Sequence, residues 1–237
     1  MSITEQSVVG ELVAKDYRTA TVFKKYGIDF CCNGNRTIQE ACDKRKVTPQ
    51  TLMTDLEEAS ASSGNANIDF QSWPLDLLAD YIEKKHHRYV EKRIEEITPF
   101  LQKIVRVHGE RHPELLQVEF LFAQSASDLT EHMAKEEQIL FPFVREMVTG
   151  QISKASFGTV QNPISMMMSE HSQEGERFEK IAELTNNFTP PADACNSYQV
   201  TFALLKEFDE DLHLHIHLEN NILFPKAIDL EKQALLS

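Results

Sequence analysis

The chain has 237 residues, 41% of them apolar, with only 8 glycines and 9 prolines, a composition that suits an ordered, helix-leaning protein with a real core. Its 24 Lys and Arg stand against 37 Asp and Glu, a formal charge of −13, which argues against a nucleic-acid or anionic-membrane surface and agrees with the holding of cations. Cys31, Cys32, Cys42 and Cys195 are too few for a disulfide framework, no apolar run approaches the ~18 residues of a membrane span, and the polar start MSITEQSVVGEL is unlike a signal peptide, so a cytoplasmic protein is expected.

Residues 1–58 read as a small set of short helices. Gly27 is placed to stop a helix through TATVFKKY, Thr37 and Glu40 make a capping box for IQEACDKR, and Thr48 with Pro49 opens PQTLMTDLEEA. A unit this small has a thin core and calls for its neighbour or a partner chain. The stretch ASASSGNANID, residues 59–69, is small, polar and aperiodic and reads as a linker. Residues 70–237 read as four long helices. The first starts near Trp73-Pro74 and runs past Ile104 with a kink at Pro99; the second runs from His112-Pro113 to about Val148. The third starts at Asn162-Pro163 and ends before TNNFTPP; the fourth runs from about Ala192 to Leu223. The expected fold is all-α: an up-down-up-down four-helix bundle preceded by a small helical domain.

The bundle contains an internal repeat. HMAKEEQILFP, from His132, matches HIHLENNILFP, from His215, at an offset of 83 residues. The helices before these segments each carry a candidate histidine, His86 in KKHHRYV and His171 in SEHSQEG, 85 residues apart. Each half of the bundle thus offers a lone histidine and then His-x-x-x-Glu. The helical wheel, at ~100° per residue, agrees. His215 and Glu219 share a face with Phe208, Leu212 and Ile222, and His132 and Glu136 share one with Phe122, Leu129, Ile139 and Leu140. His86 falls among Ala79, Ile82 and Val90, and His171 among Met167, Met168 and Phe178, whereas His213 and His217 fall on the far side, toward water or another surface.

A lone histidine on an apolar face is usually an ordinary core residue. A buried glutamate is different, because an uncompensated carboxylate in an apolar interior is costly. Two Glu–His⁺ ion pairs are the rival explanation, but such pairs seldom offset their own desolvation. The joint pattern favours a metal centre. Ligation by nitrogen and oxygen alone suits iron, manganese or zinc, and six side chains are too many for one tetrahedral zinc. They fit two octahedral ions if Glu136 and Glu219 bridge, with roughly two histidines and one open position on each once an oxo or hydroxo bridge is added. A non-haem di-iron site comes first and di-manganese second. The Glu-x-x-His pairs Glu83/His86 and Glu210/His213 also occur, but the repeat reproduces neither and the second lies on the polar face.

With these residues in place, the bundle resembles hemerythrin-like domains, and the whole chain resembles the di-iron repair of iron centres proteins of bacteria. The likeness rests on DFCCNGNRTIQEA (Asp29 to Ala41), on the histidines of KHHR and SEH, and on the two His-x-x-x-Glu segments ending in ILFP; Asn33 before Gly34 reads as a tolerated loop change. The resemblance implies a cytoplasmic stress-response protein, often dimeric, that restores iron–sulfur clusters damaged by nitric oxide or peroxide. It implies two iron ions held by His86, His132, Glu136, His171, His215 and Glu219, and a functional vicinal pair Cys31 and Cys32.

Two ferrous ions with open positions suit nitric oxide binding and reduction, and a site that releases metal suits iron donation to the damaged cluster; the sequence does not choose between them. Glu170, beside His171, and Asp128, one turn before His132, are candidate proton donors or supporting groups on an access path. A following helix N-terminus is expected to activate Cys31 and Cys32. The alternative is a hemerythrin-like carrier or sensor of oxygen or nitric oxide without turnover.

Overall fold

The computed structural model describes residues 3–61, 68–150 and 156–235. It resolves into two compact units, one of Met1–Leu78 with Ile216–Ser237 and the other of Ala79–His215. Among the described residues the chain is helical, with one isolated bridge between Val8 and Thr37. No helix among them is long and apolar enough to cross a membrane.

The first unit holds α1 (Val9–Lys15), α2 (Thr19–Lys25), α3 (Ile38–Arg45) and α4 (Pro49–Ala61). Gly27 ends α2 as expected, in the left-handed region at φ 63°. The capping box forms: Thr37 Oγ1 accepts from the Glu40 N–H at 3.2 Å, and Glu40 accepts from the Thr37 N–H at 2.8 Å. Helix α4 runs into the stretch read as linker, of which residues 62–67 lie outside the described residues.

The loop between α2 and α3 is tied down from two sides. The first N–H groups of α1, which a helix cannot satisfy itself, donate outward: Val9 to the Arg36 carbonyl at 2.9 Å and Gly10 to that of Gly34 at 2.7 Å. From the other side, the C-terminal π turn Glu219–Leu223, continued by α11 (Phe224–Leu235), presents two amides. Asn220 donates to the Cys31 carbonyl at 3.2 Å and Asn221 to that of Phe30 at 3.2 Å.

His217 belongs to this unit. Its ring lies 5.8 Å from that of Tyr17 and 5.9 Å from that of Phe30, and its Nδ1 accepts from Asn221 at 3.0 Å. Of the two surroundings expected for it, water or another surface, the structure takes the second. Burial pushes its pKa down to about 3, so it stays neutral.

The second unit is built on the π turn Ile82–His87, which follows α5 (Leu75–Tyr81), and on α6 (Arg88–His108). Next come α7 (Glu114–Lys135), the π turn Glu136–Leu140, α8 (Phe141–Val148), α9 (Gln161–Leu184) and α10 (Asn196–Leu218), which ends in this unit at His215. Pro99 lies inside α6. Phe208 of α10 meets Phe122 of α7 edge-on at 5.6 Å and stacks on Phe178 of α9 at 5.4 Å, the aromatic centre of the core. Arg93 on α6 reaches Glu207 on α10 at 2.8 Å.

The helices read as uninterrupted are broken by π turns. A π turn adds about one residue to a helical turn and rotates the succeeding residues by roughly 100° against an ideal wheel. Ile139, placed on the ligand face by the wheel, is accordingly 50% exposed, and it lies inside such a turn. Met168, also assigned to that interior, is 38% exposed with no π turn to account for it.

A Cβ on Gly34 would lie 2.3 Å from the Phe30 carbonyl oxygen, a backbone atom that cannot rotate away. Gly34→Ala is therefore expected to destabilise the N-terminal unit by about 1–3 kcal/mol, read as a lower urea midpoint; an unchanged midpoint would contradict the packing described.

Candidate metal centre

The site is organised around Glu136, fully buried at the first position of its π turn. Its Oε2 lies 3.3 Å from His87 Nε2 and 3.4 Å from His132 Nε2. His171 Nε2 is 3.0 Å from His132 Nε2, and the His215 ring centre is 4.9 Å from that of His87. Ligand atoms of His87, Glu136 and His215 lie within 4.8 Å of one another, as do those of His132, Glu136 and His171, so one carboxylate serves two clusters. Two nitrogens on one ion, each at about 2.1 Å and at a right angle, are ~3.0 Å apart, the separation of the His132 and His171 nitrogens. The donor set therefore fits a cation. Glu219 is fully buried and opens the π turn after α10, four residues beyond His215, as Glu136 stands four beyond His132.

Outer carboxylates aim the rings. His132 Nδ1 donates to Glu170 Oε2 at 2.8 Å, and Glu170 Oε1 accepts from Lys135 at 2.8 Å. The His132 hydrogen bond, helped by Lys135, pulls the Glu170 pKa down to about 2 against the opposing effect of burial. His87 Nδ1 donates to Glu137 at 2.9 Å. In both rings the Nδ1–H is engaged outward, which leaves the Nε2 lone pair facing inward, the arrangement in which histidines hold metals.

The sequence reading chose His86, and here the geometry differs. His86 Nδ1 likewise bonds a carboxylate, Asp211, at 3.0 Å, but its ring stacks on that of His215 at 5.6 Å and its nitrogens join neither cluster of ligand atoms. It is His87 whose Nε2 meets Glu136. The π turn Ile82–His87 rotates the helix by about one residue, which a 3.6-residue wheel cannot anticipate. One signal was present: His87 precedes His171 by 84 residues, nearer than His86 to the 83-residue repeat. Glu83 is held by Arg145 at 2.7 Å, and His213 Nδ1 bonds the Asp209 carbonyl at 2.6 Å, so neither Glu-x-x-His pair joins the clusters.

A cavity of about 260 Å³ opens between α7 and α9 onto His132 and His171. Glu170, Glu174, Lys135 and Arg177 also line it. Arg177 donates to Asp128 at 2.6 Å and also holds Glu174, whose other oxygen accepts from Ser125. Burial raises the pKa of Glu174. Asp128 is thus an exposed member of the cavity rim, and Glu170 a direct support of His132.

In the first unit, Cys31 is buried and Cys32 partly exposed, with their sulfurs 3.7 Å apart. The expected activation by a helix N-terminus does not occur at Cys31: the next helix begins only at Ile38, and the Cys32 sulfur and burial push the Cys31 thiol well up. Burial likewise raises Cys42, and Cys195 is exposed.

Comparison with known proteins gives two matches along the chain. Residues 5–60 match the ScdA_N family, a domain of unknown function, and residues 78–227 match the hemerythrin HHE cation binding domain. The chain is 34% identical over 225 residues to iron-sulfur cluster repair protein ScdA of Staphylococcus haemolyticus, covering 94% of this chain and 99% of that one. It is 35% identical over 232 residues to iron-sulfur cluster repair protein YtfE of Musicola paradisiaca, covering 96% and 98%. The same identity holds over 230 residues with YtfE of Yersinia pestis, covering 96% and 99%.

Replacing the carboxylate that orients His132 should loosen the cation without removing a ligand. Glu170→Ala is expected to weaken metal affinity by about 10–100-fold, measured by competition with a chelator; unaltered affinity would remove Glu170 from the supporting role.

Proposed function

We propose, for a chain that belongs to the family of iron-sulfur cluster repair proteins, that it restores clusters damaged by nitrosative or oxidative stress, using two non-haem iron ions held in the bundle. The observation that carries this reading is the fully buried Glu136 set between His87 and His132. In this reading His87 and His215 would hold one ion, His132 and His171 the other, and Glu136 would serve both. Glu219 is the second bridging carboxylate, by its repeat relation to Glu136 and its place one turn beyond His215. Manganese is the second choice of metal.

When bound, the ferrous pair supplies open positions and electrons for nitric oxide or another small gaseous ligand. The chain's own residues set the conditions. Glu170 and Glu137 hold two imidazoles in the ligating tautomer, and the apolar core excludes bulk water. Four carboxylates (Asp128, Glu131, Glu170 and Glu174) against Lys135 and Arg177 line the cavity, which also suits passage of a cation and so the donation of ferrous iron as cargo. The partners are damaged iron–sulfur proteins, and the working form is a cytoplasmic protein that pairs with a second copy.

Anaerobic loading should give two irons per chain. His87→Ala and Glu136→Ala should lose iron, while His86→Ala should keep it; the reverse pattern for the two histidines would overturn the assignment. Ferrous protein should restore an enzyme whose four-iron cluster was damaged by nitric oxide, beyond what equal free iron restores. Nitrous oxide release on adding nitric oxide would place turnover at the centre. A stable nitrosyl without repair would instead make the protein a carrier or sensor.

A further inference from the structure

The loop that carries Cys31 and Cys32 brings a third group to the same point. Asp29 Oδ1 accepts from the backbone N–H of Cys31 at 3.0 Å and of Cys32 at 2.9 Å, and from the Cys31 thiol at 3.3 Å. One ligand atom from each of Asp29, Cys31 and Cys32 lies within 4.8 Å of the other two.

The separations match a coordination polyhedron. Tetrahedral bonds of about 2.3 Å to sulfur and 2.0–2.2 Å to oxygen put two sulfur ligands ~3.8 Å apart and a sulfur and an oxygen ~3.6 Å apart. Here the sulfurs are 3.7 Å apart and Asp29 Oδ1 is 3.3 Å from the Cys31 sulfur. The loop does not have to fold around an ion to reach this arrangement. Asn220 and Asn221 hold the carbonyls of Cys31 and Phe30, α1 holds those of Gly34 and Arg36, and Asn33 donates to the second oxygen of Asp29.

We propose that Asp29, Cys31 and Cys32 form a second metal site, separate from the bundle centre, for a thiophilic divalent cation in tetrahedral coordination with one exchangeable ligand. The cation takes the place of the two thiol protons, which leave to solvent on binding. Two thiolates and a carboxylate select zinc or ferrous iron over magnesium or calcium. The proposal does not rest on the function assigned to the bundle, whose donors are nitrogen and oxygen only.

Cobalt(II) distinguishes the two sites in the full, reduced chain, because only thiolate ligands give intense sulfur-to-cobalt charge-transfer absorption. Wild type should show that absorption and saturate it at one equivalent per chain. Cys31→Ser and Cys32→Ser should abolish it, Asp29→Asn should weaken cobalt affinity at least 10-fold, and Cys195→Ser should leave it unchanged. Asp29→Asn keeps an acceptor for the two backbone N–H groups, and circular dichroism checks that each variant is folded. Displacement by one equivalent of zinc identifies a zinc site, and displacement by ferrous iron ahead of zinc an iron site. Absence of the absorption in wild type, its persistence in the Cys31→Ser/Cys32→Ser double variant, or displacement by neither metal would overturn the proposal. Iron bound by the bundle is counted separately, so either site can fail without the other.

Discussion

Everything in the bundle depends on one constraint, a carboxylate with no exposure set among imidazoles. Moving an ionised carboxylate from water into an apolar interior without compensation costs many kcal/mol. Imidazolium ions are one source of compensation, yet the geometry around Glu136 opposes it. His132 and His171 bring their Nε2 atoms to 3.0 Å. Both rings protonated there would set two N–H groups against each other; one N–H between them makes a hydrogen bond, and two lone pairs at that distance suit a shared cation. The outward hydrogen bonds of His132 to Glu170 and of His87 to Glu137 select the same tautomer. The carboxylates, the rings and their supports are therefore one device, with a geometry that suits a cation.

The backbone answers the same constraint. Three π turns occur among the described residues, and Glu136 and Glu219 each open one while His87 closes the third. A regular helix presents side chains at fixed 100° steps, and a π turn breaks that rule locally at some cost in hydrogen-bond geometry. Its occurrence at equivalent points of both repeats ties it to ligand placement. It also spreads the helix, which lets Glu136 turn inward beneath His132 while Ile139 swings outward.

What was legible in the sequence was whatever depended on local chemistry or on the repeat. Thr37 and Glu40 announce their capping box, Gly27 its helix stop, and the paired ILFP segments pick out His132, Glu136, His215 and Glu219 together. What was not legible depended on backbone irregularity or on distant packing. His86 and His87 are adjacent, and choosing between them needs the phase of the helix to within one residue, which the π turn shifts. The capping box at Thr37 already sets the next helix six residues beyond Cys32, too far to act on Cys31, whereas nothing local shows that Cys31 itself is covered.

His217 shows the other limit and explains the odd run LHLHIHLENN. Every residue from His215 to Asn220 is buried. On a helix, residues 215 and 219 share one face, residues 217 and 221 share another, and the two lie roughly 200° apart. The first face carries a histidine and a glutamate of the repeat. The second carries a neutral histidine packed on Tyr17 and Phe30 and an amide that holds the Phe30 carbonyl. A run in which every residue is buried has no polar face from which a wheel reads direction. The alternation therefore mixes a histidine of the repeat with a neutral histidine that packs on Tyr17 and Phe30.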